Sequence, residues 1–337
     1  MISDVRKRKH ALHYTTANWD TVNCSLCSHQ CSVAPSRSGA CGVRSNRDGK
    51  FYVDTYGRIA FSKLVSGFEI PLYHFAPQLK WLLVGTRGCT MRCPFCNTYE
   101  YAQLGARNTT PMTPDDVVKR ALGDEAGGIV FGGNEPVVSH EFVLDVFRLA
   151  RRAGLKTALQ TNGTWMEEPF QEVLILTDAF TFGLKGFSES RYSNQLGGQL
   201  NFILQNIRTA VAQNHHVEIS YLLCAEPREK QVRELQDFLA WRNNLNEKIP
   251  VIFNRQKPDY LLKTELNPEV ALTLVEELEL VKNAAYYFDS AKPEHNTTYC
   301  KNCAEAMITR SKSGSVCYIT ADGCCPNCRQ RVEDIIL

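Results

Sequence analysis

Cysteines are the residues in this sequence best placed to do chemistry, and 13 of the 14 fall into three clusters. Cys89, Cys93 and Cys96 share one short loop with the spacing C-x3-C-x2-C. Three thiolates on one loop can bind three irons of a cubic iron–sulfur cluster and leave the fourth iron open to a ligand that is not protein. A structural zinc site would instead complete its tetrahedron with a fourth Cys or His, which this loop does not offer. The spacing therefore favours an iron–sulfur cluster with one open position.

A second cluster precedes this loop and consists of Cys24, Cys27, Cys31 and Cys41. Four thiolates can close a zinc tetrahedron or hold an auxiliary iron–sulfur cluster, and the spacing leaves both open. All but one of the 14 cysteines in the 337 residues are clustered and they follow no export signal, so metal binding is favoured over disulfides.

The third cluster contains two C-x2-C knuckles, formed by Cys300, Cys303, Cys325 and Cys328. Two such knuckles resemble a zinc ribbon, in which two turns present four thiolates tetrahedrally. Cys317 and Cys324 are surplus to that set. They leave an iron–sulfur site with other ligands as the alternative to zinc.

Alternating strands and helices must position the central loop. Short apolar runs rich in β-forming residues predict six strands, at about Trp81–Gly85, Gly128–Phe131, Thr157–Gln160, Ala179–Leu184, Val217–Leu223 and Val251–Phe253. The segments between them carry apolar residues at helical spacing, and Thr113-Pro114-Asp115 has the composition of a helix start. This alternation is typical of an α/β protein with a parallel sheet.

Polar residues follow these predicted strands where a parallel sheet gathers its active-site groups. The first strand leads into the cysteine loop, and the next three are followed by Gly132-Gly133-Asn134-Glu135, by Thr161-Asn162-Gly163 and by Lys185. Cys224 ends the fifth strand. A lone cysteine is more often a small buried hydrophobe, but this position also makes Cys224 a candidate for catalysis or radical relay.

The cysteine loop, with Phe95 just before its third cysteine, resembles the motif of the radical S-adenosylmethionine (SAM) superfamily. The resemblance implies a [4Fe-4S] cluster whose open iron is chelated by SAM. One electron would cleave the sulfonium to methionine and a 5′-deoxyadenosyl radical, which abstracts hydrogen from a substrate. It also implies a partial (β/α)6 TIM-like barrel, here flanked by small N- and C-terminal cysteine-rich metal-binding modules.

The same resemblance assigns the cofactor-binding residues, which are Phe95, Gly132, Gly133, Glu135, Thr161, Asn162 and Lys185. Glu135 would hold the methionine amino group, and Lys185 is a candidate for the SAM carboxylate. Asn134 interrupts the superfamily's Gly-Gly-Glu-Pro segment, and Gly183 replaces the acid of a family Asp-Leu-Lys-Gly-Phe segment. These departures lie at the predicted mouth of the barrel.

The whole layout is similar to the glycyl-radical-activase-like enzymes of the AmmeMemoRadiSam system. The similarity rests on segments such as Cys41-Gly-Val-Arg-Ser-Asn-Arg-Asp-Gly-Lys50 and Pro258-Asp-Tyr260, and Lys257 replaces a histidine common in that family. We expect an N-terminal module and connector over 1–75, a barrel over 76–292 and a zinc-ribbon-like module over 293–337.

These features predict a radical SAM enzyme that abstracts hydrogen from a protein or peptide, as an activase or a modifying enzyme. An enzyme acting on a small molecule is the first alternative, and a non-catalytic iron–sulfur or zinc protein for redox or assembly is the second. The resemblance also implies an electron donor such as ferredoxin or flavodoxin.

The charge balance and the hydropathy of the sequence limit the kinds of partner that the protein is expected to bind. Lys and Arg number 38 against 36 Asp and Glu, so the chain lacks the basic field that nucleic-acid binding requires. No apolar run is long enough for a signal peptide or a membrane span, which predicts a cytoplasmic protein. The basic run Arg6–Lys9 is either a solvated tail or a segment that steers an acidic partner.

Overall fold

The computed structural model describes residues 9–103, 108–281, 284–311 and 314–337. Most of the basic run, Arg6 to Arg8, lies outside the described residues. Lys9 is described, and its ammonium lies 2.9 Å from the Asp145 carboxylate and over the Tyr56 ring. No described helix is long and apolar enough to cross a membrane.

The N-terminal region consists of short strands. They are β1 (Lys9–His10), β2 (Tyr14–Thr16), β3 (Val22–Cys24), β4 (Ser32–Val33), β5 (Arg44–Arg47), β6 (Lys50–Val53) and β7 (Arg58–Ile59). Two antiparallel sheets result, with the strand orders β1-β6-β5 and β2-β3-β4. The cysteines of this region lie on β3 and on the loops around β4, so both small sheets help to position them.

A larger sheet forms the centre of the molecule. Its strands are β8 (Phe61–Ser66), β9 (Lys80–Gly85), β11 (Gly128–Phe131), β12 (Lys156–Thr161), β13 (Ala179–Leu184), β14 (His216–Leu223), β15 (Val251–Arg255) and β16 (Ala285–Tyr287), while β10 (Thr110–Pro111) pairs with β7. The sheet order is β16-β15-β14-β13-β12-β11-β9-β8. All six predicted strands are present and parallel, which confirms the α/β prediction.

Two further strands extend this sheet at its edges. Strand β16 adds to it in parallel, whereas β8 pairs antiparallel with β9, with Phe61 opposite Gly85. The sheet therefore begins well before residue 76, the expected start of the barrel. Among the described strands the two edges do not pair with each other, so the sheet is open.

Helices follow most strands of the sheet. They are α1 (Tyr99–Ala102), α2 (Pro114–Gly123), α3 (His140–Arg152), α4 (Glu167–Leu174), α5 (Glu189–Arg191), α6 (Leu200–Ala212), α7 (Arg228–Asn246) and α8 (Pro268–Glu277). The predicted start of α2 is confirmed, because Thr113 Oγ1 accepts the Asp116 N–H and the Asp116 carboxylate accepts the Thr113 N–H. All four residues of β11 are buried, as expected of a parallel strand covered on both faces.

The C-terminal region forms a third small sheet from β17 (Thr298–Tyr299), β18 (Ala306–Ser311) and β19 (Gly314–Cys317). Buried Arg310 on β18 donates to the Tyr73 carbonyl at 2.6 Å and packs over the Tyr73 ring. The N–H groups of Tyr73 and His74 in turn donate to Glu218, near the beginning of β14. This module therefore docks near the amino ends of the central strands, whereas the cysteine loop follows the carboxyl end of β9.

Candidate active site

A cavity of about 530 Å³ lies at the carboxyl ends of the central strands. The three loop cysteines and Phe95 line it, together with the predicted residues Gly133, Glu135, Thr161, Asn162 and Lys185. Gly132 is not among the lining residues; its N–H donates to the Val84 carbonyl at the end of β9. The structure thus brings together four separate stretches of sequence in one cavity.

The side chain of Asn162 connects three of these stretches. Its Nδ2 lies 3.5 Å from the Cys89 Sγ, and its Oδ1 accepts a hydrogen bond from the Lys185 ammonium at 2.7 Å. Lys185 also donates to the Gly183 carbonyl at 2.9 Å. The cysteine loop and the ends of β12 and β13 therefore share one hydrogen-bonded chain.

Glu135 holds the neighbouring loops in place. Its buried carboxylate accepts the Thr161 hydroxyl at 2.6 Å, the Asn162 N–H at 2.7 Å and the Val137 N–H at 3.1 Å. Burial raises the pKa of Glu135, although these hydrogen bonds favour the ionised form. Glu135 consequently fixes the turn that carries Asn162.

Asn134, the extra residue of the glycine motif, supports the cysteine loop. Its Oδ1 accepts the Thr86 N–H at 2.8 Å, while its Nδ2 donates to the Thr86 hydroxyl at 3.0 Å and to the Gly88 carbonyl at 3.1 Å. Three hydrogen bonds thus join the end of β11 to the residues just before Cys89. The inserted residue therefore links the glycine motif to the cysteine loop by hydrogen bonds.

Two glycines in this cavity stand where a larger residue would crowd a neighbouring side chain. Gly133 has a φ of 78°, and a Cβ there would lie 2.2 Å from the Phe61 ring on edge strand β8. A Cβ at Gly183 would lie 3.3 Å from the Lys185 Nζ. The missing acid at position 183 therefore leaves the space into which the lysine ammonium folds.

The thiols of the central loop fit an iron–sulfur cluster. Burial raises the pKa of Cys89, and it raises the pKa of Cys93 to about 11, so a positive centre is needed to hold them as thiolates. Among the described residues, the loop thiols do not form a set within 4.8 Å of one another. That separation suits sulfurs bound to different irons better than sulfurs sharing one metal ion.

Two other segments cover the outer side of the loop. From the N-terminal module, the His29 ring hydrogen-bonds to the Thr90 carbonyl. From the segment after β15, the Tyr260 ring stacks on Tyr99 at 4.7 Å, and the N–H groups of Leu261 and Leu262 both donate to the Pro94 carbonyl. The Pro-Asp-Tyr segment therefore closes over the cysteine loop.

Charged residues form the far side of the cavity. Lys257, which departs from the family pattern, lies 2.5 Å from the Asp289 carboxylate, and the Arg255 N–H donates to the same carboxylate at 2.9 Å. All three residues line the cavity. The cavity therefore extends from the cysteines to an ion pair at the ends of β15 and β16.

Cys224 does not line this cavity. Its Sγ lies 3.6 Å from the Leu222 carbonyl, beside a separate small void that Arg191 and Tyr221 also line. Burial raises the pKa of Cys224 to about 12. The structure thus places this thiol apart from the residues expected to bind SAM.

The N-terminal quartet, Cys24, Cys27, Cys31 and Cys41, lines one small void together with Arg44 and Thr90. Burial raises the pKa of Cys24, Cys27 and Cys41. The structure therefore gathers all four predicted ligands immediately behind the central loop.

The C-terminal quartet, Cys300, Cys303, Cys325 and Cys328, has its four sulfurs within 4.8 Å of one another. Cys300 and Cys328 are 3.6 Å apart, and Cys303 and Cys325 are 3.7 Å apart. Four thiolates about 2.3 Å from one tetrahedral zinc ion are separated by about 3.8 Å, so this quartet can hold a single metal ion.

The fold and the site together define an α/β enzyme built around a three-cysteine loop at the mouth of a parallel sheet. Residues 83–239 match the Radical SAM superfamily. The chain therefore carries a radical SAM domain and is a radical SAM enzyme, as the three-cysteine motif predicts.

Similar proteins include activating enzymes. An uncharacterized protein of Methanocaldococcus jannaschii, MJ0808, is 27% identical over 313 residues, which are 90% of this chain and 91% of that protein. The pyruvate formate-lyase 1-activating enzyme of Escherichia coli is 26% identical over 145 residues, 41% of this chain and 58% of that enzyme. Streptococcus suis SuiB bound to S-adenosylmethionine aligns with a TM-score of 0.46 and 11% identity over 63% of this chain and 48% of SuiB.

Proposed function

We propose that this enzyme uses SAM to abstract a hydrogen atom from a protein or peptide. The observation that carries the proposal is the continuous cavity, in which the SAM-site residues occupy one side and an ion pair the other. The cavity also contains Ser220 and Asn254, which are polar and lie between the two sides. Substrate groups therefore have room to approach beside the residues assigned to SAM.

The three loop cysteines are the ligands of the proposed catalytic cluster. These residues would hold a [4Fe-4S] cluster, which would supply the electron for reductive cleavage of SAM to methionine and a 5′-deoxyadenosyl radical. Asn162 orients Cys89 through its amide hydrogen bond. Lys185, held by Asn162 and Gly183, places a positive charge where the SAM carboxylate would bind.

The polar residues around this site limit its rearrangement. Glu135 fixes the β12 turn, and Asn134 fixes the entrance to the cysteine loop. Because hydrogen abstraction depends on the distance between the radical carbon and the substrate, a preorganised site favours reaction at one position. The backbone of Gly133 and the ring of Phe95 complete the proposed SAM contacts.

A polypeptide substrate is supported by the relatives. Both the pyruvate formate-lyase 1-activating enzyme and the 4-hydroxyphenylacetate decarboxylase activating enzyme are named for activating another enzyme. By analogy, the ion pair of Lys257 and Asp289 is proposed to contact a polar substrate segment. The same analogy requires a low-potential electron donor such as ferredoxin or flavodoxin, and we propose a cytoplasmic location.

The C-terminal quartet is proposed to hold zinc in a structural role. Its sulfur separations support this, because they match one tetrahedral ion. The module docks through Arg310 near the amino ends of the strands, remote from the SAM site. Its metal would therefore stabilise the fold without taking part in the reaction.

The substrate can be tested by deuterium transfer. Anaerobically reconstituted enzyme would be incubated with SAM, reductant and an extract of the source organism grown in heavy water, separated into macromolecular and small-molecule pools. We expect 5′-deoxyadenosine to acquire deuterium from the macromolecular pool and protease treatment of that pool to remove the effect. Deuterium arriving only from the small-molecule pool would contradict the proposal.

A further inference from the structure

We propose that the N-terminal quartet holds an iron–sulfur cluster and not a zinc ion. This site is separate from the catalytic cysteines, and the assignment does not depend on the substrate proposed above. It rests on the spacing of the sulfurs, on the small void that the thiols line, on a backbone donor to one of them and on an unpaired buried arginine N–H.

The spacing of the thiols distinguishes this quartet from the C-terminal one. Among the described residues, the C-terminal four form a set within 4.8 Å, whereas no three of the N-terminal four do so. The central loop shares this wider spacing. Since sulfurs on one zinc ion must converge and sulfurs on a multinuclear cluster need not, the N-terminal quartet follows the cluster pattern.

The four N-terminal thiols line one small void of about 20 Å³, which has room for about one water molecule. In a zinc tetrahedron the sulfurs are about 3.8 Å apart and touch one another. The thiols as placed here are therefore not closed around a single ion.

A backbone donor already reaches one of the four sulfurs. The Ala40 N–H donates to the Cys31 Sγ at 3.4 Å. Hydrogen bonds of this kind stabilise metal-bound thiolates and tune the potentials of iron–sulfur clusters.

Arg44 supplies an observation that fits a bound anionic group beside the thiols. Its terminal nitrogens pair with the Glu141 carboxylate at 2.7 and 2.8 Å, but its buried Nε has no hydrogen-bond partner. The side chain is 2% exposed and lines the same void as the cysteines. A buried unpaired N–H is costly, and a cluster with its thiolates would provide the missing acceptor.

The proposed cluster lies directly behind the catalytic loop. Thr90, which follows Cys89 in sequence, lines the void, and a Cβ on Gly88 would lie 2.9 Å from the Cys41 carbonyl. One layer of backbone thus separates the two sets of cysteines. A redox-active centre here would be adjacent to the site that needs an electron, whereas a zinc ion could only support the loop.

The test is the metal content of a full-length variant that lacks the catalytic ligands, with Cys89→Ala, Cys93→Ala and Cys96→Ala combined. After anaerobic reconstitution we expect about two to four iron atoms with matching sulfide, besides about one zinc. Reduction by one electron from dithionite should give a paramagnetic signal, which zinc cannot give. Adding Cys31→Ala and Cys41→Ala should remove the iron and the signal but keep the zinc.

A second measurement covers the case in which the variant does not fold. In the otherwise unchanged enzyme, a cluster at each site gives about six to eight iron atoms per chain, whereas a catalytic cluster alone gives about four. About two zinc ions, with four iron atoms at most, would overturn the assignment. If iron remains at the N-terminal site while SAM is not cleaved, the inference stands and the proposed function fails.

Discussion

The two outer quartets contain the same four ligands but differ in packing. At the C-terminus, two opposed knuckles bring all four sulfurs within 4.8 Å of one another, with one pair 3.6 Å and another 3.7 Å apart. At the N-terminus the sulfurs surround a void beside buried Arg44 and the catalytic loop. Four cysteines therefore do not define a site until their separation and their neighbours are known.

The positions of the quartets suggest different uses. The C-terminal module contacts the connector before β9 through Arg310, near the amino ends of the strands, whereas the proposed SAM site lies at their carboxyl ends. The N-terminal module contacts the cysteine loop itself through His29. We therefore expect damage to the C-terminal quartet to reduce stability first, and damage to the N-terminal quartet to affect the catalytic site.

The largest loss of activity is expected from substitutions in the central loop. The effects of substitutions in the two quartets can be compared with it. Cys89→Ala, Cys93→Ala or Cys96→Ala should each abolish conversion of SAM to 5′-deoxyadenosine, because each removes one iron ligand. Chromatography of the anaerobic reaction with dithionite measures the product. Cys224→Ala is the matched control, since that thiol lies outside the cavity, and it should retain SAM cleavage. Full cleavage by the triple alanine variant would contradict the assignment.

The next largest effect should come from the C-terminal quartet. Cys325→Ser should remove about one zinc per chain and lower the Tm by on the order of 10 °C, because metal-binding energy in such a module is folding energy. Calorimetry and metal analysis check both results. Cys317→Ser and Cys324→Ser are matched controls outside the quartet and should keep the zinc. A chain truncated before His295 with unchanged metal content would exclude the site.

The six parallel strands were predictable from sequence because each is a buried apolar run between turn signals. Strand β8 was not, because Phe61–Ser66 is half exposed and pairs at an edge, where apolar alternation is weak. The short strand Ala285–Tyr287 follows residues of mixed composition and gives only three residues of signal. Edge strands thus depend on tertiary pairing more than on their own pattern.

The part of the site that consists of motif residues was predictable from the sequence. The contacts made by residues that differ from the family motif were not. The sequence marks Asn134 as an insertion, but its bonds to the loop depend on how β9 and β11 align. Similarly, the sequence shows only that Gly183 replaces an acidic residue of the family motif. The structure shows that the glycine leaves space for the Lys185 side chain. No sequence pattern pairs Arg44 with Glu141, which lies 97 residues further along the chain.

A smaller effect is expected at Asn134, which hydrogen-bonds to the residues just before the cysteine loop. Asn134→Ala removes three hydrogen bonds and should lower the kcat for SAM cleavage by on the order of 10- to 100-fold, because small displacements of reacting groups are costly. Iron content should stay unchanged, which separates misplacement from cluster loss. Exposed Asn194→Ala is the control. An unchanged kcat would show that these hydrogen bonds are dispensable.

The smallest effect concerns the contact that joins the N-terminal module to the helices. Glu172 on α4 accepts hydrogen bonds from His13 at 3.1 Å and from His140 at 3.0 Å. The His140 Nδ1 accepts the Trp165 indole N–H, so the proton of the neutral ring lies on Nε2 and points to Glu172. These contacts therefore dock the module by hydrogen bonding and leave no free ring nitrogen on His140 for a metal.

This contact predicts a pH dependence of stability. The hydrogen bond from His140, with that from His13, lowers the pKa of Glu172 to about 2. A carboxylate with a depressed folded pKa adds stability above its unfolded pKa of about 4.3 and loses it as the pH falls toward 2. Glu172→Gln should therefore lower the Tm by about 1 °C near neutral pH, since a half-exposed contact contributes about 1 kcal/mol at most. The difference from the unchanged enzyme should shrink between pH 5 and pH 3 in thermal melts. Exposed Glu168→Gln on the same helix should show no such trend, and a difference that grows on acidification would rule out docking through the ionised carboxylate.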